Sequence, residues 1–372
     1  MVKNYFQSKK NTSTEKIASL DFQLIFLILL LGIISFFMMY STEQGKFGYY
    51  TKSHIYRFIF FFIMFIGFSF IRINIWVKLS YLFYVVILFL LIAVDFFGVT
   101  ASGSKRWINL FAFNLQPSEL MKVSLICFLA RYYSKIPHHD INQLKYLVIP
   151  VFALFLPVLL VASQPDLGTA LLIAIGGIGV IWLTGFRLNF FVYSSVLLLS
   201  LAPVAIAFLK PYQKARILTF FNPERDPLGA GYQIIQSKIA IGSGGMTGKG
   251  YLQGSQSYLD YLPEKHTDFI FTLFSEEFGF VGCLLLLLIY ATIIYRIVSI
   301  GKKSRNNFAK LYCFGFAAAF FVYVMVNMSM VLGLLPIVGA PLPIMSYGGS
   351  SMLTIMLGLS IVMSCKVYNE EQ

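Results

Sequence analysis

The side chains best suited to chemistry sit where polar residues meet long apolar runs. Asp268 lies in Leu262-Pro263-Glu264-Lys265-His266-Thr267-Asp268-Phe269-Ile270-Phe271, where a polar stretch gives way to an apolar one. A carboxylate at such a lip, with His266 and Lys265 beside it, suits a general base. Helix capping is the structural alternative, but Thr267 can cap and leave Asp268 in the first turn. Two effects then oppose each other. The helix N-terminus favours the carboxylate, whereas an apolar surround favours the neutral acid. Glu119 and Lys122, three apart at the head of another apolar run, share one helical face. They form either a self-neutralising pair or a cavity wall in which Lys122 meets an anion. Arg106-Trp107 adds a cation beside an aromatic, with an interfacial Trp as the bland role. Asp166, between Pro165 and Leu167-Gly168, reads first as a helix N-cap and second as a reactive group. Glu276 and Glu277 are adjacent and cannot share a helical face, so a structural role with separate partners is preferred. Gly348-Gly349-Ser350-Ser351 permits close helix packing or offers backbone N–H groups to an anion, packing being the safer reading.

The elements that must position these groups follow from composition. Of 372 residues 58% are hydrophobic and 12% charged, against roughly 25% charged in soluble domains. With 38 Phe and a mean hydropathy of +0.76, this excludes an ordinary soluble enzyme, a disordered chain and a secreted disulfide scaffold. The four cysteines (Cys127, Cys283, Cys313 and Cys365) lie in apolar runs without paired spacing and read as small buried hydrophobes. The net charge of +13 would suggest nucleic acid in a soluble protein. Here it reads as the basic bias of cytoplasmic loops, with no nucleic-acid partner.

Apolar runs predict an all-α, polytopic integral membrane protein of about ten transmembrane helices. They fall at about 22–40, 55–71, 75–97, 118–134, 146–163, 167–184, 189–209, 267–297, 308–334 and 349–366 of a single membrane domain, 1–372. The fourth, interrupted by Glu119 and Lys122, could be re-entrant. No small-residue cleavage site follows the first span, so it is expected to remain uncleaved. With the N-terminus inside, sixteen Lys and Arg fall on inner segments and five on short outer loops. Both termini are therefore expected in the cytoplasm. The polar, Gly- and Pro-rich segments 98–117, 163–168, 210–266 and 335–349 then face outward. The long loop, about 210–266, is too large for a simple connection. Its stretch Tyr232 to Ile241 could form a short helix at the interface.

Several motifs recur together, in order, over about residues 100–351. They are Gly103-Ser104-Lys105-Arg106-Trp107-Ile108, Gln116-Pro117-Ser118-Glu119 with Lys122, and Gln164-Pro165-Asp166-Leu167-Gly168-Thr169. Next come Asp226 to Gln233, Gln236 to Gly244, and Gly248-Lys249-Gly250. Last are Pro263 to Phe271, Glu276-Glu277-Phe278-Gly279, and Pro341-Leu342-Pro343 leading to Ser346-Tyr347-Gly348-Gly349-Ser350. In these motifs the chain resembles the SEDS family of cell-wall polymerases, and its long loop is worded more like the RodA branch than the FtsW branch. Tyr251 and Phe278 depart from the commoner Trp and Leu, away from the supposed chemistry.

The resemblance implies a peptidoglycan glycosyltransferase that polymerises lipid II on the outer side of the bacterial cytoplasmic (inner) membrane, during elongation and maintenance of rod shape. The sugar of an undecaprenyl-pyrophosphate-linked chain passes to the 4-hydroxyl of incoming lipid II with inversion. The family's essential aspartate maps to Asp268. The residues suit this independently: Asp268 can take the acceptor proton, and Arg106, Lys122, Lys238 and Lys249 can face the leaving pyrophosphate. Trp107, Gln116, Ser118, Glu119, Asp166 and His266 complete the expected substrate-binding set. The resemblance also implies a divalent cation (Mg or Mn) held by carboxylates and phosphate oxygens, with no organic cofactor. The implied partners are a class B penicillin-binding transpeptidase, the elongation machinery and membrane lipid. A flippase for the lipid-linked precursor is the alternative, and a non-catalytic scaffold for the transpeptidase a third.

Overall fold

The computed structural model describes residues 13–101, 104–109, 114–137, 139–208, 211–226, 229–255, 262 and 264–369. A short α1 (Ser13–Ala18) leads into α2 (Phe22–Thr42), α3 (Tyr49–Ser69) and α4 (Ile73–Phe97). Strands β1 (Val99–Ala101), β2 (Ser104–Asn109) and β3 (Asn114–Leu115) pair antiparallel in that order. Then come α5 (Pro117–Ser134), α6 (Lys145–Ser163), α7 (Leu167–Leu183), α8 (Leu188–Phe208), α9 (Pro211–Phe221), a 3-10 turn (Pro223–Arg225) and α10 (Ala230–Gly244). The chain closes with α11 (Ile270–Lys303), α12 (Asn307–Val331) and α13 (Gly349–Val367).

Among the described residues, 7 helices (α2, α3, α4, α6, α11, α12 and α13) are long and apolar enough to cross a membrane. The other three predicted spans are also helical, as α5, α7 and α8. The chain is a helical, multi-pass membrane protein. A small ribbon, β1 to β3, occupies the polar segment 98–117, in which no strand was expected. The second span begins earlier than its hydropathy suggests. The Glu43 carboxylate accepts the Tyr50 and Thr51 N–H groups at 3.0 and 2.9 Å and starts α3 at Tyr49.

The helices differ in how much of them is inside. In α13, 83% of the apolar window is buried, and in α12 61%, against 22% in α3 and 28% in α4. The core is therefore α12 and α13 together with α5, which packs on α4, α7, α12 and α13. That placement explains how α5 tolerates charge. Glu119 and Lys122 are both buried and pair at 2.7 Å. Tyr323 Oη donates to the second Glu119 oxygen at 3.0 Å. Aliphatic and aromatic side chains of α3, α4 and α8 remain exposed on the outside of the bundle, as lipid contact requires.

The long loop is more structured than its composition suggests. Its apolar stretch forms α10, which packs along α11 rather than lying free, with Ile234, Ser237 and Ala240 buried. Helix α11 breaks at Gly279 (φ 61°), and the segment after α10 laces into the break. Lys249 N–H donates to Glu276 O, and Phe280 N–H to Gly245 O. A Cβ on Gly248 would lie 2.0 Å from Glu277 O, so this crossing demands glycine. The adjacent carboxylates have separate partners. Glu276 takes Lys249 at 2.7 Å, and Glu277 accepts from the Ser41 hydroxyl.

Candidate functional site

A cavity of about 600 Å³ opens where the polar segments converge. It is walled by β2 (Arg106, Trp107), the start of α5 (Gln116, Glu119), the start of α7 (Asp166), α9 (Gln213, Arg216) and the turn before α11 (Glu264, Asp268). Gly339 and Tyr347 from the segment before α13, and Ser350 from the first turn of α13, close it.

Asp166 does cap α7, since its Oδ1 accepts Thr169 N–H at 3.2 Å. Its other oxygen meets Gln116 Nε2 at 3.1 Å and the Arg106 guanidinium at 3.4 Å. Arg106 also donates to Pro165 O at 3.1 Å, so it is steered by two acceptors and still partly open to the cavity. Ser350 Oγ ties this wall to α13 by donating to Asn114 O and accepting Gln116 N–H, each at 2.9 Å.

Asp268 behaves differently. Helix α11 starts only at Ile270, with Phe269 as a cap that supplies no side-chain hydrogen bond. The capping role expected of Thr267 is not found, because its hydroxyl bonds Glu264 Oε2 at 2.8 Å instead. Asp268 thus stands in the turn ahead of the helix. Among the described residues no donor reaches its carboxylate within hydrogen-bonding distance. Its carboxylate opens to the cavity but is otherwise packed in protein. That burial, with the negative charge of Glu264, pushes its pKa up to about 7, and the Arg216 charge opposes the rise. The contest between helix terminus and apolar surround is won by the surround.

The other expected residues lie off the cavity wall. Lys122 is buried behind Glu119, its ammonium 3.9 Å from the centre of the Tyr323 ring, so it meets no free anion there. Ser118 is buried in the first turn of α5. Lys238 is exposed on α10 and lies alongside Gly333. Lys249 belongs to the α11 break through Glu276. His266 stacks on Tyr50 at 4.1 Å and its Nδ1 meets Thr42 Oγ1 at 2.9 Å, beside the cavity rather than in its wall. Sequence reading missed Arg216, Gln213, Gln233, Glu264 and Tyr347, all of which line the cavity. Gln233, Glu264 and Tyr347 lay within the quoted motifs without being assigned to the site, and Arg216 was visible only as a cation of the long loop. Its selection over the loop's other cations depends on where α9 lies.

The cavity of this helical membrane bundle holds Arg106 and Arg216 together with Asp268, whose carboxylate has no hydrogen-bond donor among the described residues. The chain belongs to the FtsW/RodA/SpoVE family, described as cell cycle proteins, whose profile matches residues 19–371. It is 44% identical over 290 residues to the peptidoglycan glycosyltransferase MrdB of Escherichia coli (strain K12), covering 77% of each chain. It is 35% identical over 371 residues to the stage V sporulation protein E of Bacillus subtilis (strain 168), covering 96% of this chain and 99% of that protein. A chain from a solved peptidoglycan synthase complex, in a study of coordinated polymerisation and crosslinking, superposes with a TM-score of 0.81 at 30% identity. It covers 94% of this chain and 98% of that one. The rod shape determining protein RodA of Thermus thermophilus shares the fold, with a TM-score of 0.71 at 24% identity, covering 94% of this chain and 97% of that one.

Proposed function

We propose that this peptidoglycan glycosyltransferase of the shape-determining SEDS class joins glycan chains in the cavity beside Asp268, on the outer side of the bacterial cytoplasmic membrane. The carrying observation is the Asp268 carboxylate: unpaired, open to the cavity and raised to about 7. A base in an inverting displacement must be ionised yet willing to take a proton, and a pKa near the working pH serves both needs. Asp268 takes the proton of the acceptor sugar 4-hydroxyl of lipid II as that oxygen attacks the anomeric carbon. The undecaprenyl pyrophosphate leaves from the opposite face. Arg106 and Arg216 supply positive charge within the same cavity for the departing phosphates. Arg216 replaces Lys238 and Lys249 in this reading, and Lys122 acts from behind by holding Glu119. The isoprenoid tail leaves sideways into lipid.

The described residues contain no group of three or more His, Cys, Asp or Glu side chains placed to hold a metal ion. The divalent cation, Mg or Mn, is proposed to be held jointly by the substrate's phosphate oxygens and a cavity carboxylate. A class B penicillin-binding transpeptidase of the elongation machinery is the proposed partner. The similarity to a chain of a synthase complex supports it.

Purified protein supplied with lipid II and the transpeptidase should produce glycan strands, and Asp268→Asn should not. Vesicles carrying labelled lipid II provide the counter-test. Asp268-dependent flipping without polymer would replace this reading with a carrier.

A further inference from the structure

Among the described residues the Asp268 carboxylate accepts no hydrogen bond, so its aim depends on its backbone. Three successive carbonyls of that turn are each gripped from elsewhere in the chain. Tyr347 N–H donates to His266 O at 2.9 Å. Ser346 Oγ donates to Thr267 O at 2.6 Å. Asn327 Nδ2 donates to Asp268 O at 2.9 Å.

Two of these donors are side chains with little other purpose. Asn327 is fully buried in α12, amid Val324, Val326, Met328 and Met330. A polar side chain there is costly unless its N–H groups are used, and its amide nitrogen also donates to Ala340 O at 2.6 Å. Ala340 follows Gly339, which packs against the reactive group: a Cβ at Gly339 would lie 3.5 Å from Asp268 Oδ2. Asn327 therefore links the backbone of the base to the wall beside its carboxylate. The Ser346 hydroxyl accepts Leu342 N–H at 2.7 Å, which commits its single proton to Thr267 O. Satisfying buried carbonyls is needed in any turn. What goes beyond that need is the concentration of three outside anchors on the three residues ending at Asp268.

We infer that Ser346 and Asn327 are positioning residues for Asp268, clamping its turn so that an unpaired carboxylate is held at the reacting oxygen. The inference rests on the proposed role of Asp268 as base. Ser346→Thr and Ser346→Val have nearly equal volume, and only the first keeps the hydroxyl. Asn327→Asp keeps the shape but removes at least one of the two amide protons. Each full-length variant is purified with its thermal midpoint recorded, then assayed with lipid II and the transpeptidase for kcat and KM separately.

Displacing a reacting group by about an ångström can cost on the order of a hundredfold in rate. Ser346→Val should therefore lose roughly ten- to a hundredfold in kcat relative to Ser346→Thr, with KM within about threefold. Asn327→Asp should lose kcat similarly. If both Ser346 variants fold poorly, Asn327→Asp decides. Equal kcat for the Ser346 pair with wild-type turnover by Asn327→Asp would overturn the clamp, as would losses confined to KM. Those results beside an inactive Asp268→Asn would leave the base intact. An active Asp268→Asn would remove the base itself.

Discussion

Two aspartates stand just before apolar helices at opposite ends of the bundle, and their surroundings set them apart. Asp21 precedes α2. It accepts Leu24 N–H at 3.0 Å, the Arg296 guanidinium at 2.5 Å and the Lys366 ammonium at 3.1 Å. Burial works against its charge, but these partners outweigh burial and hold it below the usual carboxylate range. Asp268 precedes α11, is gripped only through its backbone, and is raised to about 7. The first is a bolt joining α2, α11 and α13. The second, in the proposed mechanism, is left available to the acceptor hydroxyl because no donor reaches its carboxylate among the described residues. On that reading the same residue type at the same kind of position serves structure or chemistry according to its surroundings.

The largest expected effect separates them by activity. Asp268→Asn should cut polymerisation by on the order of 10²- to 10⁴-fold, the usual contribution of a general base, in steady-state assays with lipid II. Asp21→Ala should instead act on stability. It strands two cations, at a cost below the roughly 3–5 kcal/mol of a sealed pair because Arg296 and Lys366 keep some solvent. A thermal melt of the detergent-solubilised protein reads that loss.

The pH dependence of stability should have opposite sign at the two sites. Asp21, with its pKa depressed, contributes stability that is full above the unfolded value near 4. That contribution is lost as pH falls through its lower folded value. Asp268 is raised, so the folded state binds its proton more tightly than the unfolded chain does. Stability is then lost as pH rises from about 4 to about 7. Melts at pH 5 and pH 8 should show Asp268→Asn gaining on the wild type at the higher pH, and Asp21→Asn showing no such gain. The smallest effect is expected at Lys249. Lys249→Met leaves Glu276 without its ion pair at the α11 break, so it should lower the melting midpoint while reducing turnover less than tenfold.

How much of this was legible in the sequence follows from what each signal depends on. Among the described residues, 7 of the predicted spans coincide with helices long and apolar enough to cross a membrane, because lipid exposure forces long apolar runs, and the charged run at α5 is also helical. The β1–β3 ribbon was not legible, since its strands are short and their pairing is tertiary. Asp268 and Asp166 were visible as carboxylates at helix starts. That only Asp166 caps a helix depends on where α11 begins, one residue beyond Phe269. Lys249 and Arg216 are both cations of one long loop. Nothing local says that the first pairs with Glu276 and the second enters the cavity, because α9 and α10 are placed by distant packing. Asn327 carried no motif at all, and its meaning lies in two carbonyls from other segments.

The central claim is that Asp268 is the titrating base, and its charged neighbours give the direct measurement. The acid limb of the kcat/KM profile for polymerisation is recorded for the wild type, Arg216→Gln and Glu264→Gln. The wild-type limb should fall near pH 7. Removing the Arg216 cation should move it to higher pH, and removing the Glu264 anion should move it lower. A limb that ignores both substitutions, or moves in the reverse sense, would contradict the account.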